Sequence, residues 1–242
     1  MIYGVFSDVH ANVEALDAIY QELTERQVEK FVCLGDIVGY GPNPNEVVQM
    51  IKDKCDICIL GNHDNVALQR EAHEHFNPLA QYVIHWTQEV LNDSSIEYLK
   101  ERPYLIRDNG VYFVHASPKS PSDWFYVNSL DDSVEALDFC PDDICFIGHT
   151  HCPGFVVKES NESYSVLDKN YFQLKEGQKI LINVGSVGQP RDKNPQTSAC
   201  IYNSETQEFE LIRINYDFVS TQNKMVELKF PSFLVHRLTT GQ

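Results

Sequence analysis

Residues 2–10 read IYGVFSDVH, residues 31–36 read FVCLGD, and residues 56–64 read DICILGNHD. Each is a short apolar run ending in a polar turn that carries Asp, Asn or His. Runs of this length bounded by turn residues read as buried strands. Between the first two, Val13, Leu16, Ile19, Tyr20 and Leu23 recur at helical spacing. After the loop GYGPNPN (residues 39–45), with Asn43 or Asn45 as cap, Val47, Val48 and Ile51 repeat that pattern. The order β-α-β-α-β belongs to parallel strands joined by crossover helices. Ligands of such sheets sit at the carboxyl ends of the strands. Asp8-Val9-His10, Gly35-Asp36 and Gly61-Asn62-His63-Asp64 are therefore aimed at one edge.

Further along, Asn65 to about Glu101 is helical in pattern, and Gly110 to Val114 is strand-like and ends in His115. Cys145 to Gly148 is another short strand, ending in His149-Thr150-His151. Runs at Phe155–Val157, Lys179–Val184, Ala199–Asn203 and Phe209–Ile214 predict a mostly antiparallel second half. A helix from about Asp217 to Leu228 precedes a Pro231-containing tail. No repeat, low-complexity tract or linker divides the chain, so one globular domain over residues 1–242 is expected.

Net charge is −16, from 19 Lys+Arg against 35 Asp+Glu. Such a field repels phosphate backbones and argues against duplex nucleic acid as a partner. No stretch approaches the roughly 20 apolar residues of a bilayer span, so no membrane is expected. The opening residues lack a basic segment followed by an apolar one, which predicts a cytoplasmic protein. Seven Cys form no recognisable disulfide framework, so reduced thiols are expected. Cys55-Asp56-Ile57-Cys58 has CxxC spacing without a second pair and reads as structural.

Five of the nine His stand directly after apolar runs, sharing those turns with Asp8, Asp36 and Asn62. In order, the blocks are D-x-H, G-D, G-N-H-D, H and G-H-x-H. With these five blocks the chain resembles the calcineurin-like metallophosphoesterases. The resemblance extends to a small bacterial and archaeal branch through Gly35 to Pro42, Asn183 to Arg191, and the closing Pro231 to Gly241 with Arg237-Leu238. It implies an α/β fold, a four-layer α/β/β/α sandwich of two mixed β-sheets flanked by helices. It assigns Asp8, His10, Asp36 and His151 to one metal, and Asp36, Asn62, His115 and His149 to a second, with Asp36 bridging.

Mixed imidazole and carboxylate donors suit two divalent transition-metal ions, Mn foremost and Fe, Zn, Co or Ni as alternatives, better than Ca or Mg. Two such ions, two carboxylates and one hydroxide leave a local charge of about +1, which attracts phosphate even in an acidic protein. The implied chemistry is attack on phosphorus by a water activated between the ions. His63 would protonate the leaving oxygen, and Asp64 would orient that imidazole and favour its protonated form.

Protein phosphatases of this superfamily carry an Arg in the second block, and the stretch Gly35 to Gly41 has none. Phosphate grip is then expected from Asn12, from Asn183 and Ser186 in the glycine-rich turn, or from Arg191. The expected substrate is a small phosphorylated molecule, with phosphodiesters and nucleotides favoured. Phosphomonoesters, dinucleoside polyphosphates and single-stranded nucleic acid are alternatives, and a non-catalytic scaffold of the same fold is the alternative from another class. Tyr40, Trp124, Phe125 and Tyr126 are either a base-stacking wall or ordinary packing, the latter being simpler. His73, His75, His85 and His236 match no block and read as surface or satisfied residues.

Overall fold

The structure is a computed structural model that describes residues 1–69 and 78–242. The N-terminal half runs β1 (Ile2–Phe6), α1 (Val13–Glu25), β2 (Lys30–Cys33), α2 (Pro44–Lys54), β3 (Ile57–Cys58) and α3 (Asn62–Leu68). It continues through α4 (Pro78–Val90), α5 (Asp93–Lys100), β4 (Leu105–Asp108), β5 (Val111–Val114), α6 (Leu130–Phe139) and β6 (Ile144–Ile147). Then come β7 (Gly154–Lys158), β8 (Tyr164–Leu167), β9 (Tyr171–Gln173), β10 (Lys179–Asn183), β11 (Thr197–Asn203) and β12 (Glu208–Ile214), followed by helices α7 (Phe218–Glu227) and α8 (Ser232–Thr240).

The strands form two six-stranded mixed sheets, ordered β3-β2-β1-β11-β12-β9 and β4-β5-β6-β10-β7-β8. In the first, β1, β2 and β3 are parallel, and β11 joins β1 antiparallel with Ile2 opposite Asn203. In the second, β5, β6 and β10 are parallel, and β4, β7 and β8 run against them. The two sheets face each other across an aromatic core. Phe113 stacks on Phe146 with ring centres 5.5 Å apart, Tyr202 stacks on Phe209 at 4.5 Å, and Phe146 bridges the pairs at 6.1 Å from each ring of the second. Helices cover the outer faces. Ala15, Leu16, Ile19, Tyr20 and Leu23 of α1 are buried against the first sheet, and Ala136 and Leu137 of α6 against the second.

Local signals explain most boundaries. Asn12 caps α1 by accepting from the Ala15 N–H, and Pro44 occupies the first turn of α2, where its missing N–H costs nothing. Three features depart from the sequence reading. Strand β3 is shorter than the apolar run Asp56 to Leu60 because only Val32 and Cys33 of β2 pair with it. The tail after Pro231 is helix α8, which buries Leu234, Val235 and Leu238 with Phe230, Met225 of α7 and Val83 of α4. Elements β4, α6, β8 and β9 were not anticipated; apart from α6 they are three- or four-residue strands. Among the described residues no helix is long and apolar enough to cross a membrane, and all seven cysteines are free thiols. Cys58 is the last residue of β3 and Cys55 precedes the strand, with the Cys55 sulfur 3.2 Å from the Tyr20 hydroxyl.

Phe146 is fully buried between the sheets. Phe146→Ala is expected to cost about 3–5 kcal/mol of unfolding free energy in a denaturant titration, the range for an emptied aromatic site.

Candidate metal centre and cavity

Each strand-end turn reverses direction within a few residues, and the backbone shows the cost. Asp8 (φ 55), His10 (φ 47), Asp36 (φ 51), His149 (φ 65) and His151 (φ 62) all lie in the left-handed region. Non-glycine residues there cost about 1–3 kcal/mol each and persist only where the surroundings hold them. Here the holding is by hydrogen bonds between turns. The Asp8 N–H donates to Gly35 O, the His10 N–H to Asp36 O, and the His149 N–H to Asp8 Oδ2. Gly61 has no side chain because a Cβ there would strike the Asp36 carboxylate.

The result is two groups that could each hold a metal ion: Asp8, His10 and His151, and Asp36, His115 and His149. All six are buried. His10, His115 and His151 donate their Nδ1–H to the main-chain oxygens of Val38 (3.1 Å), Leu34 (2.8 Å) and Gln189 (2.5 Å). Carbonyls only accept, so in each neutral ring Nε2 is left as a bare lone pair turned inward, the arrangement that presents imidazole to a metal. Nε2 of His10 and Nε2 of His151 stand 3.1 Å apart, and His151 Nε2 lies 3.2 Å from Asp8 Oδ1. Nε2 of His115 is 3.1 Å from Asn62 Oδ1, 3.2 Å from His149 Nδ1 and 3.4 Å from Asp36 Oδ2.

Facing lone pairs repel unless a cation lies between them. Asp8 Oδ1 is also buried without a hydrogen-bond partner among the described residues. The donor set therefore fits divalent ions of intermediate softness. Asp36 is the shared member. Its Oδ1 accepts from the His63 N–H at 2.8 Å, while Oδ2 lies 3.8 Å from His10 Nε2 and 3.4 Å from His115 Nε2, so a single oxygen faces both groups.

Charge balance follows the same lines. Although burial opposes it, the imidazoles of His115, His63 and His10 hold the Asp36 carboxyl well below the usual range. Burial also works against a charged His115, yet the Asp36 carboxylate, helped by Asp8, holds its pKa up at about 9. Burial pushes His149 down to about 3 and His63 to about 4.

The groups open into a cavity of about 700 Å³ lined by His63, His149, His151, Tyr40, Trp124 and Arg191, among others. Asn62 borders it at the start of α3. Tyr40 packs on His63 (4.6 Å) and His10 (4.8 Å), Tyr126 tilts over His149 at 4.0 Å, and Trp124 meets His115 edge-on at 5.8 Å. Phe125 faces a separate depression beside Lys119.

Four expectations need correction. Asp64 does not orient His63: its oxygens accept from the Val38 and Gly61 N–H groups, both at 3.0 Å, tying two turns together. Nor does it keep His63 protonated, since burial dominates that ring. Asn12 spends its side chain on Ala15 N, Gly188 O, Tyr216 and Thr221. Asn183 holds Gly148 O, Thr150 Oγ1 and Gly185 N, and Ser186 holds Asp8 O and Gln189 N. None of these three lines the cavity, whereas Arg191 does. His85 is exposed beside Glu89, His236 is exposed, and His73 and His75 lie outside the described residues.

The family model described as calcineurin-like phosphoesterase superfamily domain matches residues 1–207. The chain belongs to that superfamily. It is 39% identical over 243 residues to the uncharacterized protein MJ0912 of Methanocaldococcus jannaschii, covering 99% of this chain and 98% of the relative. Among solved structures, a metallophosphoesterase from Sphaerobacter thermophilus superposes with a TM-score of 0.89 at 33% identity, covering 100% of this chain and 99% of that one. Hypothetical protein PH1004 from Pyrococcus horikoshii shares the fold at a TM-score of 0.80 and 20% identity, covering 100% of this chain and 98% of that one. The superfamily's divalent-metal dependence agrees with the two donor groups. Arg237 and Gln69 also line the cavity, and sequence periodicity held no signal for either, because α8 and the end of α3 read as tail and generic helix.

Two measurements check this candidate metal centre. Chelation is expected to lower the thermal midpoint, because an ion at about 100 times its Kd adds about 2.7 kcal/mol. Asp64→Ala, which strands two buried N–H groups at about 1–3 kcal/mol each, is expected to weaken metal retention measured by mass spectrometry. The pH profile of turnover should stay unmoved.

Proposed function

We propose that the chain is a two-metal, Mn²⁺-dependent phosphoesterase of the cytoplasm that hydrolyses phosphodiester bonds of small substrates, nucleotides among them. Fe, Zn, Co and Ni are the alternative ions. The observation that carries the reading is Asp36 Oδ2, which faces both donor groups at the floor of the cavity beside His63. Divalent ions bound there would lower the pKa of a coordinated water to about 7 and offset charge on phosphoryl oxygens.

The remaining work falls to the chain itself. His10, His115 and His151 are fixed by their carbonyl partners, so the donors are pre-aimed and need no rearrangement. His63 lies on the cavity wall with its ring against Tyr40. An anionic phosphoryl group would raise its low pKa, and the ring would donate a proton or hydrogen bond to the leaving oxygen. Arg191, stacked 5.6 Å over Tyr40 and tethered to Gln189, would contact a phosphoryl oxygen. The aromatic flank of Trp124 and Tyr126 gives the substrate's organic part an apolar face. A diester is favoured because the protein-phosphatase Arg is missing from Gly35 to Gly41 and the cavity exceeds what bare phosphate needs.

Metal-stripped protein restored with Mn²⁺ is expected to turn over bis-p-nitrophenyl phosphate faster than p-nitrophenyl phosphate. The reverse order would move the assignment to a phosphomonoesterase. No turnover with Mn²⁺, Co²⁺, Ni²⁺, Fe²⁺ or Zn²⁺ would leave a non-catalytic scaffold. His63→Ala should lower kcat by about 10²–10⁴-fold with metal content retained, whereas Asp36→Ala should lose the metal.

A further inference from the structure

The described arginines divide into two kinds. Arg26 is paired with Glu22 and Glu210, Arg102 with Glu101, Arg107 with Asp142, and Arg213 with Asp192. Arg191 and Arg237 pair with no Asp or Glu side chain among the described residues, and both line the cavity over the candidate metal centre. In a chain with 35 acidic residues and a net charge of −16, two unpaired guanidinium groups on one cavity wall are conspicuous. Asp123, which also lines the cavity, forms no ion pair with either guanidinium, and its Oδ2 accepts from the Ser120 hydroxyl at 2.6 Å.

Their placement is ordered. Arg191 follows the turn after β10; its N–H donates to His151 O at 3.3 Å, and its guanidinium lies over Tyr40, which itself packs on His63 and His10. Arg237 comes from α8, lies over Phe233 with its guanidinium 5.4 Å from that ring's centre, and donates from Nε to the main-chain oxygen of Gln242. Both Nη groups of Arg237 and Nη1 of Arg191 have no partner among the described residues. Burial, then the charge of Arg191, lowers the Arg237 pKa to about 10, and an anion in the cavity they share would favour both charged forms.

We propose that Arg191 and Arg237 form an anion subsite beside the metal centre that takes a second phosphoryl group of the substrate, making Arg237 a determinant of specificity for diphosphate-bearing substrates. Arg191, adjacent to His151, serves the reacting phosphate, and Arg237 serves the next one. A singly charged cyclic or simple diester leaves Arg237 without a use, whereas an organic diphosphate engages both guanidinium forks. Arg191 lies within residues 1–207, the part matched by the superfamily model, whereas Arg237 comes from helix α8 beyond it.

The inference rests on the phosphoesterase reading and is tested with AMP and ADP, which share base, sugar and first phosphate. Their inhibition constants against bis-p-nitrophenyl phosphate are measured at fixed free Mn²⁺, alongside calorimetric titration of the Mn²⁺-loaded protein with each. Wild-type protein is expected to bind ADP about tenfold or more tighter than AMP, the scale of a charge-assisted hydrogen-bond pair. Arg237→Gln should erase most of that ratio, Arg237→Lys should retain part of it, and Arg191→Gln should weaken both ligands. Equal wild-type affinities would overturn the proposal, as would a uniform loss for both ligands in Arg237→Gln. Should Arg237→Gln fail to fold, the Lys variant with its intact charge decides: an ADP:AMP ratio equal to wild type speaks against recognition by the guanidinium fork. Absent ester turnover would sink the phosphoesterase reading separately, and the calorimetric ratio would still judge Arg237.

Discussion

A protein interior tolerates a lone pair only when something electron-poor faces it, and this chain turns several of them toward one another. The Nε2 atoms of His10, His151 and His115, Asp8 Oδ1 and Asp36 Oδ2 converge among buried side chains at the floor of the cavity. Against the pull of burial, the Asp36 and Asp8 carboxylates hold the His115 pKa up at about 9, whereas burial pushes His149 down to about 3. Carbonyl partners on the far side of each ring prevent escape by tautomer change or ring rotation. The surrounding turns, with five ligand candidates in left-handed backbone, are strained for the sake of that convergence.

The centre also joins the two sheets. Asp8, His10, Asp36 and Asn62 follow strands or turns of the first sheet, and His115, His149 and His151 follow strands of the second. Main-chain bonds stitch the seam, with the Val187 N–H on Ser7 O and the Gly188 N–H on Asp8 O. Ser186 adds a hydroxyl bond to Asp8 O. Asn12 and Asn183 act on the same seam, one from the helix cap and the other beneath the His149 turn. Residues beside ligands in sequence thus serve as the mount of the site.

That explains what was legible in the sequence. Short apolar runs and helical patterns revealed the β-α-β-α-β half because its strands are buried on both faces and its helices carry a clear apolar stripe. Ligand candidates stood out because a strand end is the one place where a polar residue after an apolar run needs a reason. The same logic over-reached for Asn12, Asn183 and Ser186, since a polar side chain in a turn can satisfy backbone as readily as bind phosphate. It failed for Asp64, whose neighbour in sequence is His63 but whose partners are N–H groups of two other turns. Helix α8 was hidden by Pro231, which reads as a breaker and in fact stands at the N-cap of a helix. The resemblance marked Arg237, but its place in the cavity was not legible, because only folding brings residues 237 and 191 to one cavity.

Strand β1 sits mid-sheet, with β2 on one side and β11 on the other, so Ile2 waits for Asn203. A ribosome emits the chain in order, and the first sheet cannot be completed until β11 has emerged. The first donor group likewise needs His151, and its seam needs Val187 and Gly188. Through most of synthesis the N-terminal ligands are a half-built claw without its opposing jaw. Capture of the ion is thereby deferred until nearly the whole chain exists, which makes metal uptake a late event in the maturation of this protein.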